Sequence, residues 1–294
     1  MEIFGISTQA LFGQLLIGLG NGSFYALLSL GLAVIFGLLN IINFTHGAQY
    51  MMGAFGAYIL LNRFGISYWW SLAIVPVVVG ATGVLIERTM LSRLYKLDHL
   101  YGLLLTFGLA LIIQGLFRNE FGSAGLPYQI PAQLTGAQNL GFMFMPNYRA
   151  WVVVASLVVC LSTWYVIERT KLGSYLRAAT ENPQLVQAFG INVPRMVTLT
   201  YGFGVGLAGL AGVMAAPIYQ VSPQMGADLI IVVFAVVVIG GMGSIMGSIL
   251  TGFGLGLIEG LTKVFYPEAS NTVIFIIMAI VLLVRPAGLF GTQK

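Results

Sequence analysis

The sequence predicts an all-α fold: a polytopic helical bundle in a membrane, with about eight or nine spans, some of them broken or re-entrant. Three observations lead there. Of the 294 residues, 58% are hydrophobic and only 7% charged, where a soluble domain carries roughly a quarter charged residues. Apolar runs near span length recur from end to end, and no hydrophilic stretch is long enough for a separate soluble domain, so residues 1–294 read as a single integral membrane domain. Finally, polar residues interrupt one long run in mid-course, between Gly37 and Gly47.

The runs fall at 10–39, 47–62, 68–86, 101–117, 150–167, 196–219, 228–240, 247–265 and 272–284. All should be helical. The first, at 30 residues, exceeds the roughly 20 needed to cross, and Gly18, Gly20, Asn21 and Gly22 offer a place to bend it. The seventh is short for a crossing, so a half-span fits it as well as a full helix.

Charge placement orients the bundle. With alternating loops, one side collects Arg88, Arg93, Lys96, Arg169, Lys171, Arg177, Arg195, Arg285 and Lys294, and the other Arg63, Arg118, Arg149 and Lys263. The positive-inside rule makes the 87–100 loop, the 168–195 segment and the C-terminus cytoplasmic, and the 118–149 segment external. That external segment carries Gly122, Gly125, Pro127, Pro131, Gly136 and Pro146 and has the length of a lid, a docking loop or a mobile connector.

Several classes of function are disfavoured. The net charge of +4 carries no nucleic-acid signal. Cys160 is the only cysteine, within an apolar run, so no intramolecular disulfide or cysteine metal cluster can form. His46 and His99 are the only histidines, too few and too separated for a metal site, and no cofactor is expected. No glycine is followed by lysine, so the phosphate-binding loop of ATPases is missing. The first residues have neither a basic region nor a small-residue cleavage site, and no removed signal peptide is expected. Paired acids and a Ser/His/Asp set are not evident, which leaves an intramembrane enzyme without machinery.

Asn40, Asn43 and His46 follow i, i+3, i+6 spacing. They lie along one face if helical, or around a short unwound turn. Unpaired polar groups in hydrocarbon cost several kcal/mol, so these residues either line or gate a pathway or join helices by hydrogen bonds. Glu259 stands in an apolar span, where an ionisable group is a functional candidate, but Lys263 is four residues on, the favourable order for a structural pair. Asp228 reads as a helix cap.

Between Lys171 and Pro194 the sequence reads as two short helices parted at Asn182-Pro183. Asn182 suits the N-cap, Pro183 the first helical position and Gly190 the left-handed position after the end. The second piece, 183–189, sets Leu185, Val186 and Phe189 along one side. Something covers that stripe: the membrane surface, a groove on a soluble protein, or this chain's own loops. Interfacial anchors favour basic residues, and 183–189 has none, which favours the groove.

Small residues recur at four-residue intervals at Gly252, Gly256 and Gly260 and at Gly204, Ala208 and Gly212, and Gly243 pairs with Gly247. Such stripes let helix backbones approach closely in lipid.

Asn40-Ile-Ile-Asn-Phe-Thr-His-Gly47, Glu181-Asn-Pro with Gly190-Ile-Asn-Val, Gly206-Leu-Ala-Gly-Leu-Ala-Gly212, Ile239-Gly-Gly-Met-Gly-Ser-Ile-Met-Gly247 and Arg285-Pro-Ala-Gly-Leu-Phe-Gly291 occur in series along nearly the whole chain. Together they resemble the permease subunits of the high-affinity branched-chain amino acid ABC importers, and urea permeases share much of the pattern. The resemblance implies a multi-pass protein of a bacterial-type inner membrane, paired with a second related permease. It also implies two cytoplasmic ABC ATPase subunits, a periplasmic substrate-binding protein and an amino acid substrate, with no nucleic acid. In that family the segment from Arg177 to Gly190 corresponds to the region that contacts the ATPase, which assigns Arg177, Glu181, Asn182, Pro183, Leu185, Val186, Phe189 and Gly190 to coupling. The implied activity is import of branched-chain or related amino acids by ATP-driven alternating access, with ATP hydrolysis on another subunit. A urea or amide permease and a self-sufficient carrier or channel are the competing readings. The scarcity of buried acids disfavours a proton-driven carrier.

Overall fold

The computed structural model describes residues 2–3, 6–39, 43–95, 97–141 and 143–291. Asn40, Lys96 and Lys294 lie outside them. Each apolar run of the described chain holds a helix, the sixth ending at Ala215 and short of its expected bound, with helices α1 (Thr8–Leu39), α2 (Thr45–Phe64), α3 (Tyr68–Thr89), α4 (His99–Phe121), α5 (Asn147–Arg169), α6 (Lys171–Glu181), α7 (Pro183–Ala188), α8 (Val193–Ala215), α9 (Met225–Gly240), α10 (Ile245–Phe265) and α11 (Val273–Val284). Six of these stretches are long and apolar enough to cross a membrane. The 16 residues of α9 and the 12 of α11 fall short of that length, as the seventh run foreshadowed. In the 118–149 segment, strands Ala137–Asn139 and Phe144–Pro146 pair as an antiparallel hairpin.

Two compact units make up the chain. The first comprises Met1–Ser29, Ile130–Leu161 and Val232–Lys294. Its centre is the contact of α10 with the first part of α1. Gly252 lies on Ala26, Gly256 on Gly18 and Gly22, and Gly260 on Gln14. A Cβ on Gly252 would stand 2.5 Å from the Ala26 Cα, so the stripe on α10 sets the approach of the two backbones and gains dispersion contacts. Gly18 and Gly22 therefore serve close packing, and α1 runs through them as one unbroken helix. Glu259 sits at this interface, accepting from Tyr25 Oη at 2.6 Å and Asn21 Nδ2 at 3.3 Å and pairing with Lys263. A carboxylate so surrounded is a structural anchor.

Gly243 departs from its expected place on a packing stripe. It lies in the turn between α9 and α10 with φ 85°, a left-handed conformation that glycine adopts at no steric cost, while Gly247 alone packs, against Gly240. The chain's last described residues close the end of α9, where Leu289 N donates to the Ile239 carbonyl at 2.8 Å and Phe290 N to that of Gly240 at 3.1 Å.

The second unit comprises Leu30–Gln129 and Ser162–Ile231. Here α8 is the most enclosed helix, with α2 and α3 packed along it. Gly204 meets Gly31 and Ile35, Gly209 meets Val79, and Gly212 meets the Tyr50 backbone. Asp228 is placed in the first turn of α9 rather than at its cap, where its charge favours the helix N-terminus.

Candidate functional site

The described residues carry a break in the long N-terminal run: Asn43 and Phe44 stand outside any helix, and α2 opens at Thr45. The turn before α2 is held by α4. Thr45 Oγ1 donates to the Thr106 carbonyl at 2.9 Å, and Phe44 N donates to Thr106 Oγ1 at 3.3 Å. These bonds supply partners for backbone and hydroxyl groups freed by the break, which a membrane requires.

Asn43 and His46 are both wholly enclosed, at 0% exposure. The imidazole of His46 occupies the space left by Gly31, where an added Cβ would stand 3.0 Å from its Cε1. Two further residues join Asn43: Gln49 on α2 and Tyr201 on α8, also closed from solvent. Tyr201 faces both amides, yet among the described residues the side-chain oxygens and nitrogens of Asn43 and Gln49 and the Tyr201 hydroxyl all stop short of hydrogen-bond geometry. Buried polar groups left in this way carry a desolvation cost. Gln49 was legible, because it continues the three-residue spacing from Asn43 through His46. Tyr201 was not, since it arrives from a helix about 150 residues away.

A second constellation surrounds the 168–195 segment. Asn182 Oδ1 accepts from Leu185 N at 3.0 Å, Pro183 opens α7, and Gly190 turns the chain with φ 82°. Arg177 anchors α6 to the end of α5, donating from Nη1 to the Ile167 carbonyl at 3.1 Å and pairing with Glu168. Glu181 is exposed at the end of α6. The three apolar residues of this stripe, Leu185 and Val186 on α7 and Phe189 at its C-cap, divide. Val186, 6% exposed, packs with Leu176, Ala179, Val193 and Met196 of α6 and α8, whereas Leu185 and Phe189, at 54% and 76%, project outward. The stripe thus has one side on its own chain and another exposed.

Glu87, which the sequence placed only at a loop boundary, fixes this region to the bundle. It is buried at the end of α3 and accepts from Tyr95 Oη and Thr198 Oγ1, each at 2.6 Å. Burial, then the bond to Glu87, holds the Tyr95 phenol well above its ordinary range. An 830 Å³ groove opens beside it, with Arg88 and Arg195 on its walls and Pro183 at its edge.

Membrane-length helices, glycine-mediated packing, a polar break and an outward knob on a short helix define a polytopic membrane transport protein. The sequence model of the family described as "branched-chain amino acid transport system, permease component" matches residues 14–282. The chain belongs to that family. It is 28% identical to the high-affinity branched-chain amino acid transport system permease protein LivH of Escherichia coli K12, over 96% of both chains. Identity with the corresponding permease protein BraD of Pseudomonas aeruginosa is 29%, again over 96% of both. With the permease protein LivM of Escherichia coli K12 it is 28%, over 92% of this chain and 68% of that one. No solved structure matches.

Proposed function

We propose that this chain is the membrane-spanning subunit of an ATP-driven importer of branched-chain amino acids. In this reading residues 1–294 work as one membrane domain in an inner membrane, with the 168–195 segment and the C-terminus cytoplasmic and the 118–149 segment periplasmic. A second related permease pairs with it, in keeping with its similarity to both LivH and LivM. Two ATPase subunits lie beneath and hydrolyse the ATP, and a periplasmic binding protein delivers the substrate.

The observation that carries the reading is the divided surface of α7. Val186 ties the helix to α6 and α8, so a push on Leu185 and Phe189 is delivered to α8 rather than absorbed by a loose loop. The glycine contacts of α8 with α2 then transmit displacement to the turn bearing Asn43 and His46. There, polar groups short of hydrogen-bond geometry supply transient partners for a polar solute, and the path changes the side to which it opens.

The test is the double substitution Leu185→Arg with Phe189→Arg. Recovery of co-expressed ATPase subunits and uptake of labelled leucine, with labelled urea in parallel, are expected to fall at least tenfold while the permease still inserts. Recovery and uptake at the wild-type level would remove α7 from coupling, and uptake surviving ATP depletion would return the chain to the class of self-sufficient carriers.

A further inference from the structure

A polar triad adjoins an apolar pocket in the second unit, whose wall includes Phe44 and Gly47 beside the Asn43 cluster. Gln114 Nε2 donates to Gln224 Oε1 at 2.7 Å, and Arg118 Nη2 donates to the same oxygen at 2.9 Å. Both Gln114 and Arg118 belong to α4, a helix apolar enough to cross a membrane, with Arg118 in its last turn, one turn beyond Gln114. Arg118 forms no ion pair among the described residues, although Glu120 follows it closely and pairs instead with Arg63. Four of its five N–H donors therefore remain for a ligand. The Oε1 of Gln114 accepts no hydrogen bond among the described residues either.

Gln114 forms part of the wall of the pocket, whose volume is about 220 Å³. Met51, Phe107, Leu111 and Ile230 supply its apolar surface. Its back is closed by backbone, because Gly47 and Gly226 touch so closely that a Cβ on Gly47 would lie 2.5 Å from the Gly226 carbonyl oxygen. The space is several times the roughly 30 Å³ share of a water molecule and smaller than the roughly 300 Å³ at which pockets for drug-sized ligands begin. It suits one small aliphatic group.

We infer that this is a station for an aliphatic α-amino acid, with its carboxylate on Arg118, its ammonium on the Gln114 Oε1 and its side chain in the pocket. The assignment rests on the transport reading above and adds to it a binding site on the permease itself. Three chemistries lie within one turn of α4: a guanidinium whose fork matches a carboxylate, an amide that shares Gln224 with it, and the apolar pocket that this amide helps to line. Urea, which lacks both a carboxylate and an aliphatic group, has no use for the first or the last.

The experiment uses the complete transporter, with its ATPase subunits and binding protein, in proteoliposomes. Labelled leucine uptake and ATPase stimulation by leucine-loaded binding protein are measured for the wild type, Arg118→Gln and Ala110→Leu, the last of which fills the pocket. The expected result is retained ATPase stimulation with uptake per ATP reduced at least about tenfold in both variants, the scale of one lost hydrogen bond to a charged group. Wild-type uptake in either variant overturns the station. So does a loss of uptake matched by an equal loss of ATPase stimulation, because that marks the triad as a pin between α4 and the residue preceding α9 rather than a substrate contact. If the wild-type complex itself imports no leucine, the transport reading fails and takes the station with it.

Discussion

Tyr201 is a phenol enclosed in a membrane helix with its hydroxyl facing two amides it does not quite bond. Such an arrangement is destabilising unless it is used, because a lost hydrogen bond in low dielectric is not replaced by water. Replacing Gln49 with leucine removes two of the orphaned atoms, and the purified complex should then unfold at the same or a slightly higher temperature while uptake drops at least tenfold, the signature of a residue kept for function at a cost in stability. Unchanged uptake would reduce the cluster to packing. Tyr95 offers the opposite case, a phenol that is fully satisfied. Its folded pKa lies above the unfolded value of about 10, so its contribution to stability is complete below about pH 10 and is lost as the pH rises beyond it. Thermal melting between pH 8 and 11 should show that alkaline loss in the wild type and a smaller one in Tyr95→Phe, whose stability is lower at pH 8 because Glu87 has lost a donor.

At the scale of elements, short-range chemistry accounts for most boundaries. Asn182, Pro183 and Gly190 delimit α7 by capping, ring geometry and a left-handed turn, and each could be assigned before any contact was known. The direction each α7 side chain takes could not. Val186 and Phe189 are comparable apolar residues three apart, and only the positions of α6 and α8 decide that one is covered and the other bare. Glycine stripes show the same division. Those on α8 and α10 are packing surfaces as their spacing implies, whereas Gly243 has the same spacing from Gly247 but stands in a turn. The contact of Gly256 with Gly18 and Gly22 admits no side chain, so Gly256→Leu should abolish recovery of folded permease in detergent, measured by size-exclusion profile. Gly254, around which an added Cβ meets nothing within 4 Å, should tolerate alanine with an unchanged profile.

For the whole molecule, composition alone fixes the environment: a chain with 7% charged residues and repeated span-length apolar runs is stable only where its surface faces lipid. The all-α architecture, the break before α2, the short ninth helix and the capped α7 follow from periodicity and local backbone preferences, which act over a few residues. Tertiary structure decided the rest. It added Tyr201 to Asn43 and Gln49, made Glu87 the tie between α3 and α8, put Gln224 against Gln114 and Arg118, and made Gly18 and Gly22 contact surfaces for α10. Each of these joins residues tens to hundreds of positions apart, and a single sequence records which side chains are available but not which distant partner the fold brings within a few ångströms.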